Sequence, residues 1–304
     1  MTVLRFRRPH AGMEEKRPID LFGTVALTGF AALLAFNQVV IKIAGDGFNP
    51  LFQAGLRSVI GFGALWLWIR IRRGGFERHP PQISLWGCAA GGLFAFEFIC
   101  LYIALDIGHV SRVSIFFYSM PVWLALAAHL FLPGERLNAT RGLGLVLAMC
   151  GVALALADRN SLNANLTADL LALGAAFGWG GIALLIRMTP LATVSSVSQL
   201  QYQLLVSAPI MLVLSPMFGP ALRVVEPVHL AALLFQAICI ASFGYLAWFQ
   251  LIKIYRASSV ASFSFLSPVL AVLMGWLLLG EQVGTEVWTA MILVAGGVAL
   301  INRR

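Results

Sequence analysis

Ten apolar segments, each close to the length needed to cross a lipid bilayer, follow one another along this chain with short polar connections. A spanning helix needs roughly 20 mostly apolar residues, because the hydrocarbon core is about 30 Å thick and each helical residue rises about 1.5 Å. Only helices and closed barrels satisfy their own backbone hydrogen bonds in lipid, so this pattern predicts an all-α integral membrane protein. The predicted spans are 20–43, 50–70, 84–105, 110–132, 141–157, 168–187, 196–218, 228–251, 257–279 and 286–302.

The charged residues support this class and exclude others. Only 11% of the chain is charged, against about 25% in typical soluble domains. The net charge of +8 resides in short loops, and no basic face with interleaved aromatic residues is present, so we expect no nucleic-acid partner. The four cysteines lie inside apolar runs without metal-ligand spacing, and we expect no metal or cofactor.

The distribution of Lys and Arg predicts the orientation. With the N-terminus in the cytoplasm, 16 of the 21 basic residues fall on the cytoplasmic side and four on the other, while Arg57 lies within a span. Cytoplasmic loops of membrane proteins carry this excess. We therefore expect a multi-pass protein of the cell inner membrane with both termini cytoplasmic. Residues 1–19 are predicted to be a cytoplasmic tail, because they lack the apolar core of a cleavable signal peptide.

The chain also contains an internal duplication. "FYSMPVWLALAAHLFLPGERL" at 117–137 resembles "SFLSPVLAVLMGWLLLGEQV" at 264–283, and "CGVALAL" at 150–156 resembles "GGVALIN" at 296–302. Pro121 matches Pro268 and Glu135 matches Glu281, at offsets of 147 and 146 residues. The sequence thus predicts two five-helix repeats, 20–157 and 158–304.

An odd number of spans per repeat has a geometric consequence. The second repeat must enter the membrane from the opposite face, so the two repeats are inverted relative to each other. Inverted repeats are typical of transporters that open to one side of the membrane and then to the other. We therefore predict a small-molecule carrier with membrane lipid around it, and the sequence leaves homo-oligomerisation open.

The paired prolines have two interpretations, and the Gly-Glu motifs are interpreted as helix ends. Pro121 and Pro268 are either tolerated, as prolines often are in membrane helices, or they produce kinks that shape a cavity and its gates. Gly134-Glu135 and Gly280-Glu281 are predicted to end helices, with the acid at the membrane interface.

These residues resemble the EamA-type transporters of the drug/metabolite transporter superfamily. In that family each repeat has a basic residue ending its first helix, a proline in its fourth, Gly-Glu after it and a Gly-rich fifth helix. The corresponding residues here are Lys42, Pro121, Gly134, Glu135 and Gly151, then Arg187, Pro268, Gly280, Glu281 and Gly297. The resemblance implies export of small metabolites such as amino acids without ATP. The second repeat carries Tyr202 where the first has Arg57, so any role of Arg57 is not duplicated.

Two ionisable residues inside spans are functional candidates, because such residues are costly in a membrane. Arg57 and Glu97 lie at similar depths, near 10–12 Å from the outer end of consecutive antiparallel spans, by about 1.5 Å per residue. They could form a structural ion pair. Alternatively, they could bind the two ends of a zwitterion, or Glu97 could carry coupling protons.

Other polar and aromatic residues complete the predicted binding site. Serines in spans more often bond to their own helix than to a ligand, and aromatic residues more often face lipid or other helices. The candidates that remain are Asn37, Gln38, Tyr118, Ser119, Trp179, Gln236, Tyr245, Ser264 and Ser267.

Other functional classes have less support. A polytopic membrane enzyme would need HExxH, paired aspartates or GxSxG on a span, and the sequence contains none of these. The sequence contains no TVGYG selectivity filter, which a potassium channel would need, and no GxxxxGK[ST] loop, which would bind ATP. The sequence therefore favours an exporter of a small metabolite such as an amino acid and predicts no catalytic residue. A multidrug efflux carrier and a membrane enzyme remain as alternatives.

Overall fold

The computed structural model describes residues 20–73, 77, 79–132, 137–158, 164–255 and 263–302. The predicted tail 1–19 and the Gly134-Glu135 pair lie outside this part of the chain. The α-helices are α1 Leu21–Gly47, α2 Pro50–Arg73, α3 Pro81–Ile107, α4 Val110–Phe117, α5 Met120–Phe131, α6 Ala139–Ala157, α7 Leu166–Met188, α8 Ser196–Leu214, α9 Pro227–Leu234, α10 Tyr245–Ile254, α11 Leu266–Leu279 and α12 Thr285–Ile301.

Side-chain caps explain where several of these helices begin. Asp20, Asn138, Asn165 and Ser195 each accept a hydrogen bond from the backbone N–H three residues later. The first N–H groups of a helix have no intrahelical partner, and short polar side chains satisfy them. The caps therefore fix the helix starts that the apolar runs alone leave open.

Eight of the predicted spans are present as helical segments long and apolar enough to cross a membrane. The eighth of these combines α9, the start of α10 and a segment of π-helix between them. The last two predicted spans correspond to the shorter apolar helices α11 and α12, of 14 and 17 residues. The architecture is all-α, and the number ten stays a prediction.

The bundle has two ends, which we name by their position relative to residue 20. The proximal end holds residue 20, residues 79–81 and residues 189–196, where Tyr255 Oη bonds to Asp20. The distal end holds residues 47–50, 105–112, 155–158, 164–169, 215–227 and 280–285. Helix α1 begins at the proximal end and α7 at the distal end, where Asn165 Nδ2 donates to the carbonyl of Ile107. The second repeat therefore runs in the opposite direction to the first.

The two fifth helices, α6 and α12, pack against each other through glycine. A Cβ atom on Gly144 would lie 2.7 Å from the carbonyl oxygen of Gly297, which is closer than any real side chain approaches. Small residues let membrane helices approach closely and gain van der Waals contact. The Gly-rich fifth helix of each repeat is therefore part of the contact between the repeats.

Both fourth helices begin a new segment just before the paired prolines. Helix α4 ends at Phe117, Tyr118 and Ser119 form a turn, and Pro121 lies in the first turn of α5. In the second repeat, a short 3₁₀ turn at Phe263–Phe265 precedes α11, which has Pro268 in its first turn. Proline is well tolerated there because the first-turn N–H groups have no intrahelical partner. The sequence predicted a kink or a tolerated proline within a continuous fourth helix. In the first repeat the structure has a break between α4 and α5 instead.

The third helix of the second repeat contains an unpredicted feature. Between α9 and α10 the chain forms a π-helix over Phe235–Gly244. Ser242 Oγ donates to the carbonyl oxygens of Ala237 at 3.0 Å and Gly61 at 3.1 Å, which supports the wider turns. Segments of π-helix are rare in proteins, and those that occur often lie at functional sites.

Candidate functional site

A cavity of about 390 Å³ lies at the centre of the bundle, between the two repeats. Its wall is mostly apolar, and it includes residues from α1, α2, α3, α7 and α10 together with the interruption in the fourth helix. Eight of the eleven predicted binding residues line it, as does Pro121. These eight are Asn37, Gln38, Arg57, Glu97, Tyr118, Trp179, Tyr245 and Ser267.

Arg57 is the most buried charged residue of this cavity, with 1% of its surface exposed. Its guanidinium carbon lies 4.2 Å from the centre of the Phe98 ring. Within the described part of the chain, its Nε and Nη1 atoms have no hydrogen-bond partner. A buried guanidinium over an aromatic face gains cation–π energy but keeps unsatisfied donors, and such donors are costly away from water.

Glu97 lies on α3 and is also buried, with 4% of its surface exposed. Among the described residues no ion pair joins it to Arg57, so the direct pair predicted from their matched depths is not formed. The physical reason is that the Arg57 guanidinium is placed over Phe98 instead. Both groups still line the same cavity, at separate positions on its wall.

Two neighbouring amides of α1 add unsatisfied acceptors. Asn37 Oδ1 and Gln38 Oε1 are buried and have no hydrogen-bond partner among the residues described. Buried polar atoms are hydrogen-bonded in the great majority of cases, and an exception calls for a functional explanation. The cavity therefore presents unsatisfied donors on Arg57 and unsatisfied acceptors on α1.

Aromatic rings form another part of the wall. The rings of Phe117 and Trp179 are stacked, with centroids 5.1 Å apart and an interplanar angle of 19°. Tyr118, in the interruption between α4 and α5, meets Trp179 edge-on at 6.4 Å. This arrangement offers flat apolar surface to a ligand close to the polar groups of Arg57 and α1.

Three predicted residues are not among those that line the cavity. Ser119 Oγ donates to the carbonyl of Phe116 at 2.5 Å and accepts from Trp123 Nε1 at 2.9 Å. These bonds hold the interrupted helix together. The side chain of Ser264 lies outside the described residues.

Gln236 is the third of these residues, and it braces the two repeats against each other. Its Oε1 accepts from Tyr102 Oη at 2.7 Å and from Gln53 Nε2 at 3.3 Å, and its Nε2 donates to the carbonyl of Val40. Its polar atoms are thus used within the protein.

Two polar residues of the cavity wall were not predicted as ligand contacts. Arg187 and Asn302 line the cavity toward the proximal end. Arg187 had a signal, since it corresponds to Lys42 in the duplication. Asn302 ends the last predicted span and has no sequence feature that distinguishes it from an interfacial residue.

The distal end is closed by contacts that cross between the repeats. The Glu281 carboxylate accepts hydrogen bonds from the N–H groups of Val110 at 2.6 Å and Ser111 at 2.8 Å. Gly280 permits this approach because it adopts a left-handed conformation, with φ of 65°. Glu281 therefore caps α4 of the other repeat, where the helix dipole favours a negative charge. The predicted helix-ending role of Gly280 is present, and the acid is buried at the distal end of the bundle.

Basic residues strengthen the same end. Arg223 donates to both carboxylate oxygens of Asp106, at 2.6 and 2.9 Å, and these bonds raise the pKa of its guanidinium. Lys42 Nζ donates to the carbonyls of Leu105, Asp106 and Gly108, which completes the C-terminus of α3. Lys42 lies within the last part of α1 and thus acts as a cap for the end of α3.

Arg112 forms a buried ionic cluster beside these contacts. It donates to both carboxylate oxygens of Asp169, at 2.9–3.0 Å, and to Asp158 at 3.2 Å. It also donates to the carbonyl of Ala155. The cluster joins α4 to the ends of α6 and α7. The two acids are 46 and 57 positions away in the sequence, so sequence reasoning did not find this cluster.

In a comparison with known proteins, the profile of one family matches this chain twice. The profile of the EamA-like transporter family matches residues 21–157 and again residues 166–303. An uncharacterized transporter of Bacillus subtilis, YoaV, is 24% identical over 295 residues, covering 91% of this chain and 94% of the relative.

A second relative and a solved structure extend the comparison. A Salmonella typhimurium protein named "Probable amino-acid metabolite efflux pump" is 28% identical over 287 residues, covering 88% of this chain and 92% of that protein. One solved crystal structure superposes with a TM-score of 0.64 at 22% identity, covering 91% of this chain and 97% of the other. At that identity the similarity shows a shared fold.

Proposed function

Because this chain belongs to the EamA-like transporter family, we propose that it is an inner-membrane exporter of an amino acid or a related compound, working by alternating access. Its family and its apolar helices make it a multi-pass membrane transporter with a small-molecule substrate. They also point away from an enzyme. The substrate class and the transport cycle are the proposal, and both rest on the central cavity and the inverted repeats.

The observation that carries the substrate class is the set of unsatisfied polar atoms in one cavity. Arg57 offers two unpaired N–H donors of fixed geometry, which suit a carboxylate. Asn37 and Gln38 offer unpaired oxygens, and Glu97 offers a carboxylate, all of which suit an ammonium group. The Phe117 and Trp179 rings provide apolar surface for a side chain. An amino acid has all three of these features.

The charges of the cavity argue against the multidrug alternative. Its wall includes two arginines, Arg57 and Arg187, and one acid, Glu97. Of the two arginines only Arg57 is buried, and a buried guanidinium disfavours a lipophilic cation and favours a zwitterion or an anion. The name of the Salmonella relative points to the same substrate class.

Alternating access is supported by the difference between the two ends of the cavity. At the distal end, Glu281 and Arg223 of the second repeat bond to the first repeat. Toward the proximal end, the cavity reaches Arg187, Phe263 and Asn302. With the N-terminus in the cytoplasm, this arrangement corresponds to a carrier that is closed outside and receives its substrate from inside.

The orientation has its own test. Reporter proteins fused after residue 75 and after residue 304 should be active as cytoplasmic fusions, and a reporter near residue 160 should be external. An external C-terminus would contradict the inverted-repeat topology, because it requires an odd number of spans.

The substrate class is tested by counterflow in liposomes that contain the purified full-length chain. Each of the twenty amino acids is offered in labelled form, and the parent protein should exchange at least one of them saturably. For that amino acid, Arg57→Gln should weaken transport by about tenfold to a hundredfold, since a hydrogen bond to a charged group contributes about 1.5–3 kcal/mol.

Two controls make this result specific. Arg72→Gln changes an exposed arginine on the same helix and should leave exchange at the parent rate. The amide of the same amino acid lacks the carboxylate, so the parent should prefer the acid and Arg57→Gln should lose that preference. If no amino acid exchanges, or if Arg57→Gln keeps the preference, the proposed substrate class is wrong.

A further inference from the structure

A second cavity, of about 170 Å³, lies beside the central one between α3, α7 and α8. It begins near Ser196 and Gln199, in the first turn of α8 at the proximal end. Both residues are half-buried, so water reaches this part of the protein. From there the cavity extends into the bundle.

The polar residues of this cavity form a stripe on one helix. Ser196, Gln199 and Gln203 have the spacing i, i+3 and i+7, which places them on one face of α8. At about 1.5 Å per residue the stripe is about 10 Å long. Gln199 Nε2 donates to the carbonyls of Leu191 and Val194. Its Oε1, the Ser196 hydroxyl and the Gln203 amide can hold water within the otherwise apolar wall.

The stripe leads to Glu97, which lies where the two cavities meet. Glu97, Trp179 and Tyr245 line both cavities, and they are the only residues shared between the two lining sets. Among the described residues the Glu97 carboxylate forms no ion pair, and Arg57 is the charged group that acts on it. It is therefore accessible both to a substrate in the central cavity and to water in the second one.

The groups around Glu97 leave it as the single acid of this region among the described residues. The charged or titratable groups that face it are Arg57 of α2, Cys100 of its own helix, Tyr118 beside α5 and Tyr245 of α10. Beside Glu97, helices α7 and α8 present Trp179 and Gln203, which carry no charge, and Arg187 of α7 lines the central cavity toward its proximal end. A positive group arriving in the central cavity would act on Glu97 directly.

We propose that Glu97 carries the coupling proton and that the second cavity is its exit to the proximal side. This inference rests on the proposed function. With the carrier open distally, the carboxylate takes a proton from that side and becomes a carboxylic acid. After the carrier reopens proximally, the substrate ammonium competes for Glu97, since a nearby positive charge disfavours the protonated form. The O–H bond breaks, and the proton leaves along Ser196, Gln199 and Gln203.

The second cavity solves a geometric problem in this exchange. A substrate that fills the central cavity would block the path of the displaced proton. A separate polar route lets the proton leave while the substrate is bound, so one proton moves inward for each substrate that moves outward. The exporter is then driven by the proton gradient.

The test uses proteoliposomes that contain the full-length chain, with a pH-sensitive dye inside and the amino acid that the parent exchanges fastest. For one-to-one exchange, each pH unit of gradient should drive about tenfold accumulation. Glu97→Gln should abolish this accumulation and the substrate-dependent proton movement. A Glu97→Gln protein that still concentrates substrate would overturn the proposal while leaving the proposed substrate class intact.

A matched pair of variants tests the exit route. Gln203 lines the second cavity and Gln201 is not among its lining residues, yet both lie on α8 and each is 8% exposed. Gln203→Leu should slow proton movement severalfold, while Gln201→Leu should match the parent. Equal proton rates in the parent and both variants would overturn the route, even if Glu97→Gln does not fold.

An infrared measurement separates this inference from the proposed function. A protonated Glu97 contributes a carboxylic C=O band that is absent in Glu97→Gln, and the band should respond to pH without any substrate. If no amino acid is transported, this band still shows whether Glu97 binds a proton. A band that is identical in the parent and in Glu97→Gln would refute the assignment.

Discussion

The two repeats of this protein have the same helices but not the same chemistry. In the first repeat, α2 carries Arg57 and α3 carries Glu97, and both line the central cavity. The position equivalent to Arg57 is Tyr202, at an offset of 145 residues, and offsets of 145–147 residues place the equivalent of Glu97 within Ser242, Phe243 and Gly244. These three residues end the π-helix, a feature that α3 does not have.

Tyr202 shows how the second repeat uses the position that corresponds to Arg57. Its hydroxyl bonds to Ser84 Oγ at 2.9 Å, and its ring lies against Gly87, where a Cβ atom would come within 2.5 Å of the ring. The tyrosine thus packs α8 onto α3 near the proximal end. The duplication has kept the matching prolines and Gly-Glu pairs, while the cavity-lining residues with unsatisfied polar atoms, among the described residues, all lie in the first repeat.

Exchanging Arg57 and Tyr202 is the most direct test of whether the two repeats differ in function. In the double variant Arg57→Tyr, Tyr202→Arg the cavity loses its guanidinium, and the new arginine lies at a packing position. We expect amino-acid counterflow to fall about a hundredfold or more, because at least two charge-assisted hydrogen bonds to the substrate are lost. Transport at the parent rate would mean that the two positions are chemically equivalent.

The distal contact of Glu281 should have the next largest effect. Glu281→Gln keeps the shape of the side chain but removes the charge from the start of α4, so the closed distal end should be weakened by about tenfold. The measurement is labelling of Met120→Cys in the cavity by an impermeant reagent from the distal side, with the four native cysteines replaced.

Glu286→Gln is the matched control for this variant. Glu286 is an exposed acid in the first turn of α12 at the same end of the bundle. Its replacement should leave the labelling rate unchanged. Equal labelling in both variants would show that Glu281 does not hold the distal end closed.

The paired prolines should have smaller effects. Pro121 and Pro268 both lie in the first turn of a helix, where no intrahelical hydrogen bond is lost, so replacement by Ala should leave folding largely intact. We expect rate changes of about two- to fivefold from the altered backbone entropy, equivalent to about 0.4–1 kcal/mol.

The comparison between the repeats makes the proline prediction sharper. Only Pro121 is among the residues that line the cavity. The two prolines occupy equivalent places in inverted repeats, so their variants should affect opposite steps of the transport cycle. Rates measured separately for inward and outward exchange would detect this. If both variants transport like the parent in both directions, the prolines are merely tolerated.

Tyr202→Phe should have the smallest effect. It removes the hydrogen bond to Ser84 and keeps the ring, so stability should fall by about 1 kcal/mol while substrate preference stays the same. Thermal unfolding in detergent measures the first quantity and competition between amino acids the second. A changed preference would show that Tyr202 takes part in binding.

The sequence by itself determined the class of fold and its symmetry. Apolar length requires spanning helices, and the predicted odd number of spans per copy requires inversion, so neither conclusion depends on how the helices pack. It also determined that Arg57 and Glu97 are candidates, because an ionisable group in a membrane helix is costly wherever it faces. The matching places of Pro121 and Pro268 predicted a kink or a tolerated proline in each copy, and in the structure a new helical segment begins at each place.

Tertiary structure decided which polar residues share a cavity. Helices that are apolar on all sides carry no periodic signal of rotation, so sequence could not separate Gln38, which lines the cavity, from Gln236, which braces the two repeats. Depth alone suggested that Arg57 pairs with Glu97, but the rotation of α2 places its guanidinium over Phe98. The partner of Glu281 is 171 residues away, a contact that only the packing of one repeat against the other can create.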